Sequence, residues 1–163
     1  SRALAEWLVP ERLDALYVSP LVRALETAVP LAELQGVDAV VEEGVAEFDK
    51  DADSYVPMEE LKAAGDPRWQ EIVDGGYFGD TSPEEFQATV VEAVERIIGA
   101  HPGERAAVVC HGGVINAYLA HVLGLDDLLF FEPGYTSISR LEASRRGHRM
   151  VVSVNERAHL RDL

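Results

Sequence analysis

The chain has 163 residues, 47% of them hydrophobic, and 14 Lys and Arg against 29 Asp and Glu give a formal net charge of −15. This length fits one domain, over 1–163, with a hydrophobic core of its own. So acidic a chain is repelled by nucleic acid and by anionic membranes, and no apolar run is long enough to span a bilayer. The single cysteine, Cys110, cannot form an internal disulfide, which favours a reducing, cytoplasmic location.

The first quarter of the chain predicts a helix, a strand, a second helix and a second strand. Apolar residues recur at helical spacing from the first residues onward. The first strand is expected over 13–18, and Ser19 and Pro20 are residue types typical of an N-cap and a first helical position. We expect Pro30 to kink or end the following helix, and a second strand over 37–41.

The stretch 42–80 is irregular and acidic, and we interpret it as a variable insert with one short helix over 58–64. After it, Ser82 and Glu85 have the spacing of a capping box, which predicts the start of a long helix that ends near Gly99.

The last third predicts a strand, a helix and a hairpin. The strand is expected over 106–110, the helix over 114–123, and the hairpin from strands at 137–141 and 150–154. Strands that alternate with helices indicate an α/β domain with a largely parallel sheet and an antiparallel edge.

A histidine follows directly on a predicted buried strand. Residues 107–114 read AVVCHGGV, so His111 and two glycines lie between that strand and a helix. Ligands of open parallel sheets bind at the carboxyl ends of strands, and the amides of a helix N-terminus favour an anion. His111 is therefore a candidate to hydrogen-bond a phosphoryl oxygen or to carry a proton. The alternative is a strand-terminal histidine that caps the helix, with two glycines that serve only the turn.

A second candidate follows the first predicted strand, where residues 19–28 read SPLVRALETA. Arg23 falls in the first turn of the helix, where a cation is unfavourable unless an anion lies beside it. Its guanidinium is suited to bidentate binding of phosphate. The alternative is a solvated arginine paired with Glu26 or Glu6.

Together these two segments resemble those of the histidine phosphatase superfamily, the phosphoglycerate mutase-like proteins. SPLVRALETA is similar to the family's Ser-Pro-Leu-x-Arg-Ala-x-x-Thr-Ala segment, VVCHGGVI to its second-histidine segment, and NERAHL at 155–160 to its C-terminal strand and turn. The resemblance covers the chain from the first helix onward and is weakest in the insert. It implies a three-layer α/β/α sandwich with a mostly parallel sheet.

The resemblance also implies roles for single residues. Arg23 would bind the transferring phosphoryl group, and His111 would hydrogen-bond the same group in the transition state. The backbone at Gly112 and Gly113 would approach the phosphate closely. No metal or cofactor is implied, because the arginine, the histidine and backbone amides supply the positive field.

The family's proton donor to the leaving oxygen is an acid in the variable region after the second strand. Glu47 matches best here, and Asp49 and Glu43 are the alternatives. A carboxyl with this role needs a raised pKa to stay protonated near neutral pH. The structural alternative is that Glu47 is one more surface acid of an acidic run.

The sequence departs from the family in one respect. The family's nucleophile is a histidine in an Arg-His-Gly motif at the end of the first strand, and the 163 residues contain no such motif. We therefore expect the domain to lack its first strand, with further residues before Ser1 in the complete protein.

The activity implied is that of a metal-independent phosphatase, which acts through a phosphohistidine on a small phosphorylated metabolite. A phosphoglycerate-type mutase and a non-catalytic phosphate-binding member of the fold are the alternatives. A homodimer is compatible with the sequence.

Three other patterns are weaker. The acidic spacing over 49–60 mimics a calcium-binding loop, but its turn glycine is absent and Pro57 interrupts it. The segment 111–113 resembles the oxyanion-hole loop of lipases, yet no Gly-x-Ser-x-Gly motif follows. Cys110 next to His111 suggests a thiol nucleophile, but neighbours along a strand point to opposite faces, so we expect Cys110 in the core.

Overall fold

The computed structural model describes residues 1–49, 58–73 and 81–161. Helices and strands alternate through this part of the chain, as the sequence predicts. The elements are α1 (Arg2–Leu8), β1 (Ala15–Val18), α2 (Val22–Gln35), β2 (Ala39–Val41), α3 (Met58–Ala64), α4 (Pro67–Val73), α5 (Pro83–Ala100), β3 (Ala106–Val109), α6 (Gly112–Leu123), β4 (Ile138–Ala143) and β5 (Arg149–Glu156), with 3₁₀ turns at Glu43–Val45 and Ala158–Leu160.

A three-stranded parallel sheet in the order β2-β1-β3 forms the middle of the molecule. In its register Val18 at the end of β1 lies opposite both Val41 of β2 and Val109 of β3. The three strands therefore end at the same edge of the sheet. The predicted hairpin is confirmed as the antiparallel pair β4–β5, but in the described residues it forms a sheet of its own rather than an edge of the parallel sheet.

Helices pack on both faces of the parallel sheet. On one face Leu16 of β1 joins a buried cluster with Leu4 of α1 and Leu31 of α2. On the other face Val108 of β3 packs against a cluster that includes Val90 of α5 and side chains of α6. This is the three-layer α/β/α arrangement that the resemblance implies, with each fully buried aliphatic side chain contributing about 1.5–3 kcal/mol.

The start of α2 differs from the prediction, whereas the start of α5 agrees with it. The N-cap of α2 is Leu21 and not Ser19, which lies fully buried at the end of β1. At α5 the predicted capping box is confirmed, because Ser82 Oγ accepts the Glu85 amide at 3.1 Å and Glu85 Oε2 accepts the Ser82 amide at 3.3 Å. The start of α5 is set by a local sequence pattern, whereas the start of α2 is set by tertiary contacts that bury Ser19.

Of the two outcomes predicted for Pro30, the end of the helix is wrong, since α2 continues to Gln35 with Pro30 inside it, and the kink stays a prediction. Proline removes one backbone hydrogen bond from a helix. The buried faces of Ala28 and Leu31 on either side of it offset this loss by packing against the sheet. The helix ends instead at Gly36, which adopts the left-handed conformation with φ of 67°.

The insert 42–80 contains the predicted helix α3 and an unpredicted one, α4. Pro67, which reads as a break in the sequence, is the first residue of α4, where its missing amide costs nothing. Residues 50–57 of the calcium-like pattern lie outside the described residues. None of the helices in the described ranges is both long enough and apolar enough to cross a membrane.

Candidate active site

The parallel pairing of β1 with β3 brings Ser19 and His111 together at the carboxyl edge of the sheet. The Ser19 amide donates to the Val109 carbonyl at 3.0 Å, which extends the ladder one residue beyond β1. His111 is the N-cap of α6, and its Nε2 lies 2.7 Å from Ser19 Oγ. His111 therefore lies between a strand and a helix, as predicted. The helix α6 begins at Gly112, two residues earlier than expected.

Burial governs the charge of His111. Its side chain is 8% exposed, and loss of solvent, together with the nearby charge of Arg23, lowers the pKa of the imidazole to about 4. His111 is therefore neutral at neutral pH, with one nitrogen as donor and the other as acceptor.

Arg23 lies in the first turn of α2, as predicted, and it forms an ion pair with Asp49. Its Nη2 donates to Asp49 Oδ1 at 3.0 Å. The carboxylate compensates the unfavourable position of a cation at a helix N-terminus. Sequence reasoning missed this pair, because the two residues come from different elements and are 26 positions apart.

Glu47 is buried between the loop that carries it and the start of α6. Its Oε2 accepts the Gly113 amide at 2.9 Å, and its Oε1 accepts the Phe48 amide at 3.1 Å. Burial raises the pKa of the Glu47 carboxyl to about 7, and the two amide bonds and Arg23 limit that rise. A carboxyl that titrates near pH 7 can both donate and accept a proton there.

The environments of the three candidate acids differ. Glu47 is buried and faces α6, Asp49 forms the ion pair with Arg23, and Glu43 is exposed on the 3₁₀ turn. Burial raises the pKa of Glu47, as the role of a proton donor requires. Glu47, the first choice of the sequence analysis, is thus the buried one of the three, and its role as the proton donor stays a prediction.

The two glycines after His111 have different surroundings. A Cβ on Gly113 would overlap the Glu47 carboxylate and lie 2.9 Å from Phe48 Cδ1, whereas among the described residues a Cβ on Gly112 would meet only Pro133, at 3.8 Å. The Gly113 amide is directed to Glu47 and so is not offered to a phosphate. Gly112 remains the candidate for backbone contact with the ligand.

Asn116 is a further buried polar residue that sequence reasoning missed. Its Nδ2 donates to the carbonyls of Gly112 and Phe131, both at 2.9 Å, and its Oδ1 accepts the Phe131 amide at 3.2 Å. These bonds fasten the loop after α6 to the first turn of that helix. An amide side chain in an otherwise apolar helix is the signal that would have marked it.

Cys110 is half-buried and packs against the buried cluster of α5 and α6, so it lies at the margin of the core in which it was expected. Burial, with a contribution from the charge of Glu47, raises the pKa of its thiol to about 12, so the reactive thiolate is not formed at neutral pH. Within the described ranges no group of three or more His, Cys, Asp or Glu side chains is arranged to hold a metal ion.

Comparison with known proteins supports the two motifs. The model of the histidine phosphatase superfamily (branch 1) matches residues 1–156. Phosphoserine phosphatase 1 from Hydrogenobacter thermophilus is 26% identical over 168 residues, which cover 98% of this chain and 78% of that protein. The match confirms the resemblance carried by residues 19–28 and 108–115, and with it the phosphatase class.

Solved structures share the fold. Phosphoserine phosphatase from Entamoeba histolytica, in complex with 3-phosphoglyceric acid, has a TM-score of 0.77 over 98% of this chain and 81% of that one, at 24% identity. A mycobacterial glucosyl-3-phosphoglycerate phosphatase in complex with VO3 has a TM-score of 0.77 over 96% of this chain and 83% of that one, at 21% identity.

Proposed function

The chain belongs to the histidine phosphatase superfamily, and from this premise we propose that it hydrolyses phosphomonoesters of small metabolites at the site of Arg23, His111 and Glu47. One observation above all supports the proposal: Glu47 is buried beside this site, and burial raises its pKa to about 7. Hydrolysis of an ester needs a group that protonates the leaving oxygen and later accepts a proton from water. A carboxyl in this environment meets both needs near neutral pH.

In this proposal Arg23, His111 and the Gly112 amide hold the phosphoryl group. Arg23 carries the positive charge, and neutral His111 donates a hydrogen bond to a phosphoryl oxygen. The amide at the N-terminus of α6 adds a fixed dipole of the right sign. Charge that develops on the phosphoryl oxygens is then stabilised without a metal ion.

The proposed reaction has two steps. A histidine nitrogen attacks phosphorus, the bond to the ester oxygen breaks, and Glu47 gives its proton to the departing alkoxide. Glu47 then takes a proton from water, which attacks the phosphohistidine and releases orthophosphate. In the family the attacking histidine belongs to an Arg-His-Gly motif, which the 163 residues printed here do not contain.

For the substrate we propose a small alcohol phosphate that also carries a carboxylate. Two relatives are named for phosphoserine, and one of their structures holds 3-phosphoglyceric acid. The insert 42–80 is the part of the chain from which we expect substrate selection. A cytoplasmic location and a homodimer belong to the same proposal.

The test is the rate of hydrolysis of 4-nitrophenyl phosphate, in the presence of a chelator, by protein expressed from its complete reading frame. We expect Arg23→Ala and His111→Ala each to lower kcat/KM by at least about 100-fold, since each removes a group that stabilises the transition state. Arg96→Ala is the matched control, because Arg96 is also a helix arginine that forms ion pairs, with Glu42 at 2.8 Å and Glu92 at 3.6 Å, and it has no part in the proposed site. Near-wild-type rates in both site variants would refute the site.

A second candidate is a phosphate-binding protein without turnover, in which Arg23 and His111 would hold a phosphorylated ligand. The intact mass of the purified protein, with its amino-terminal sequence, separates the two. A larger protein with an upstream Arg-His-Gly that gains one phosphoryl group on brief exposure to substrate supports the phosphatase. A protein that binds orthophosphate through Arg23 but never gains that mass supports the binding protein.

A further inference from the structure

We propose that Ser19 is a positioning residue that fixes the tautomer of His111, so that the imidazole offers its Nδ1–H to the phosphoryl group. The expected effect of Ser19 on the reaction rate rests on the proposed function. The arrangement itself rests on the hydrogen bonds of two buried side chains, and it is measurable without any turnover.

The backbone of Ser19 is fixed by the sheet. Its amide donates to the Val109 carbonyl at 3.0 Å, and its side chain is completely buried. The hydroxyl therefore has no water to exchange with and points at the imidazole of His111, where Oγ and Nε2 are 2.7 Å apart. Ser19 is not the helix cap that its sequence context suggests, so its burial needs another explanation.

Counting donors and acceptors gives the direction of this bond. A hydroxyl has one proton to donate and accepts up to two hydrogen bonds. Ser19 Oγ already accepts the Leu21 amide at 3.3 Å. In the described part of the chain, His111 Nε2 is the one acceptor within reach of the hydroxyl proton. If Nε2 carried the hydrogen instead, the buried proton of the Ser19 hydroxyl would be left without an acceptor, which is unfavourable.

The state of His111 follows from this direction. When Nε2 accepts from Ser19, the single hydrogen of the neutral ring is on Nδ1. Among the described residues, Ser19 is the hydrogen-bonding partner of this ring, so the Nδ1–H is available to a ligand. Because His111 is the N-cap residue of α6, its imidazole belongs to the end of the helix where the backbone amides also favour an anion.

The kinetic test compares Ser19→Ala with Ser137→Ala. Ser137 is the matched control, because its Oγ is also buried but makes no hydrogen bond in the described structure. We expect Ser19→Ala to lower kcat for 4-nitrophenyl phosphate by roughly 10- to 100-fold, as loss of a hydrogen bond that orients a reacting group does. Ser19→Cys, which keeps a weak donor, should fall between Ser19→Ala and wild type. Equal rates in Ser19→Ala and Ser137→Ala would overturn the proposal.

The decisive readout is the tautomer itself, from long-range ¹H–¹⁵N NMR spectra of the imidazole nitrogens at neutral pH. Wild type and Ser137→Ala should show His111 with the hydrogen on Nδ1. In Ser19→Ala the two tautomers should mix, or the hydrogen should move to Nε2. A wild-type His111 protonated on Nε2, or a tautomer that Ser19→Ala does not change, would overturn the inference.

This measurement separates the inference from the proposed function. A protein without turnover that shows the Nδ1–H tautomer, lost in Ser19→Ala, keeps the arrangement and refutes the phosphatase. A phosphatase whose His111 tautomer does not depend on Ser19 keeps the proposed function and refutes the positioning role.

Discussion

At the residue scale, burial shifts the pKa values of Glu47 and His111 in opposite directions. Loss of solvent raises the pKa of Glu47 to about 7 and lowers that of His111 to about 4. In both cases the charged form is disfavoured. At neutral pH the site thus holds a neutral imidazole, a carboxyl that is about half protonated, and the charge of Arg23 balanced by Asp49. Such a pair of displaced pKa values is typical of groups that move protons.

The raised pKa of Glu47 predicts how stability depends on pH. Between pH 4.5, its ordinary value, and about 7 the folded protein holds a proton that the unfolded chain has lost. Its contribution to stability is therefore complete below about pH 4.5 and is lost as the pH rises through about 7. On this basis wild type should lose on the order of 3 kcal/mol relative to Glu47→Gln over that interval.

Urea unfolding of wild type and Glu47→Gln at several pH values measures this change. The comparison with Glu47→Gln is needed because His111 also makes stability depend on pH. Its pKa is lowered in the folded protein, so its contribution to stability is lost as the pH falls from 6.5 to about 4. That contribution is common to both proteins and cancels. A stability difference that does not change with pH would show that Glu47 is not buried in the way described.

At the element scale, the site is built from the ends of strands and the first turns of helices. Strand positions, the capping box and the hairpin were predictable, because each is encoded by neighbours in sequence. The burial of Ser19 and the continuation of α2 as far as Gln35 could not be predicted, because both depend on packing against the sheet. A serine before a helix favours the N-cap position and a proline disfavours the helix interior. In this protein, packing of buried side chains outweighs both preferences.

The start of α6 gives a prediction with a built-in control. Gly113→Ala should destabilise the protein by about 1–3 kcal/mol, because the new methyl group collides with Glu47 and Phe48. Gly112→Ala meets only Pro133 at ordinary contact distance and should change stability little. Thermal unfolding of the two variants measures the difference. If Gly112→Ala were the more destabilising, the described contact between Glu47 and α6 would be wrong.

At the scale of the whole molecule, the contacts that make the site are long in sequence. Ser19 and His111 are 92 positions apart, and Glu47 and Gly113 are 66 apart. Spacing along the chain could identify each candidate, through its place after a strand or its match to a family motif. It could not show which acid meets α6 or what the Ser19 hydroxyl contacts, because these depend on the register between strands and on burial.

The whole molecule is also acidic, with a net charge of −15, yet the proposed ligand is an anion. Recognition must then come from a few local groups against an unfavourable overall field. Arg23, His111 and the N-terminus of α6 lie at one edge of the sheet because β1 and β3 are neighbours. The strand order therefore groups the anion-binding residues at one place, in spite of the unfavourable net charge of the molecule.

The proposed reaction depends most on Glu47 as the acid that protonates the leaving group at the site of Arg23 and His111. The most direct measurement is kcat of wild type and Glu47→Gln for a series of aryl phosphates, from 4-nitrophenyl phosphate to phenyl phosphate. Help from an acid matters most for a poor leaving group, so Glu47→Gln should lose about 10²–10⁴-fold on phenyl phosphate and far less on 4-nitrophenyl phosphate. Equal losses along the series would contradict the claim.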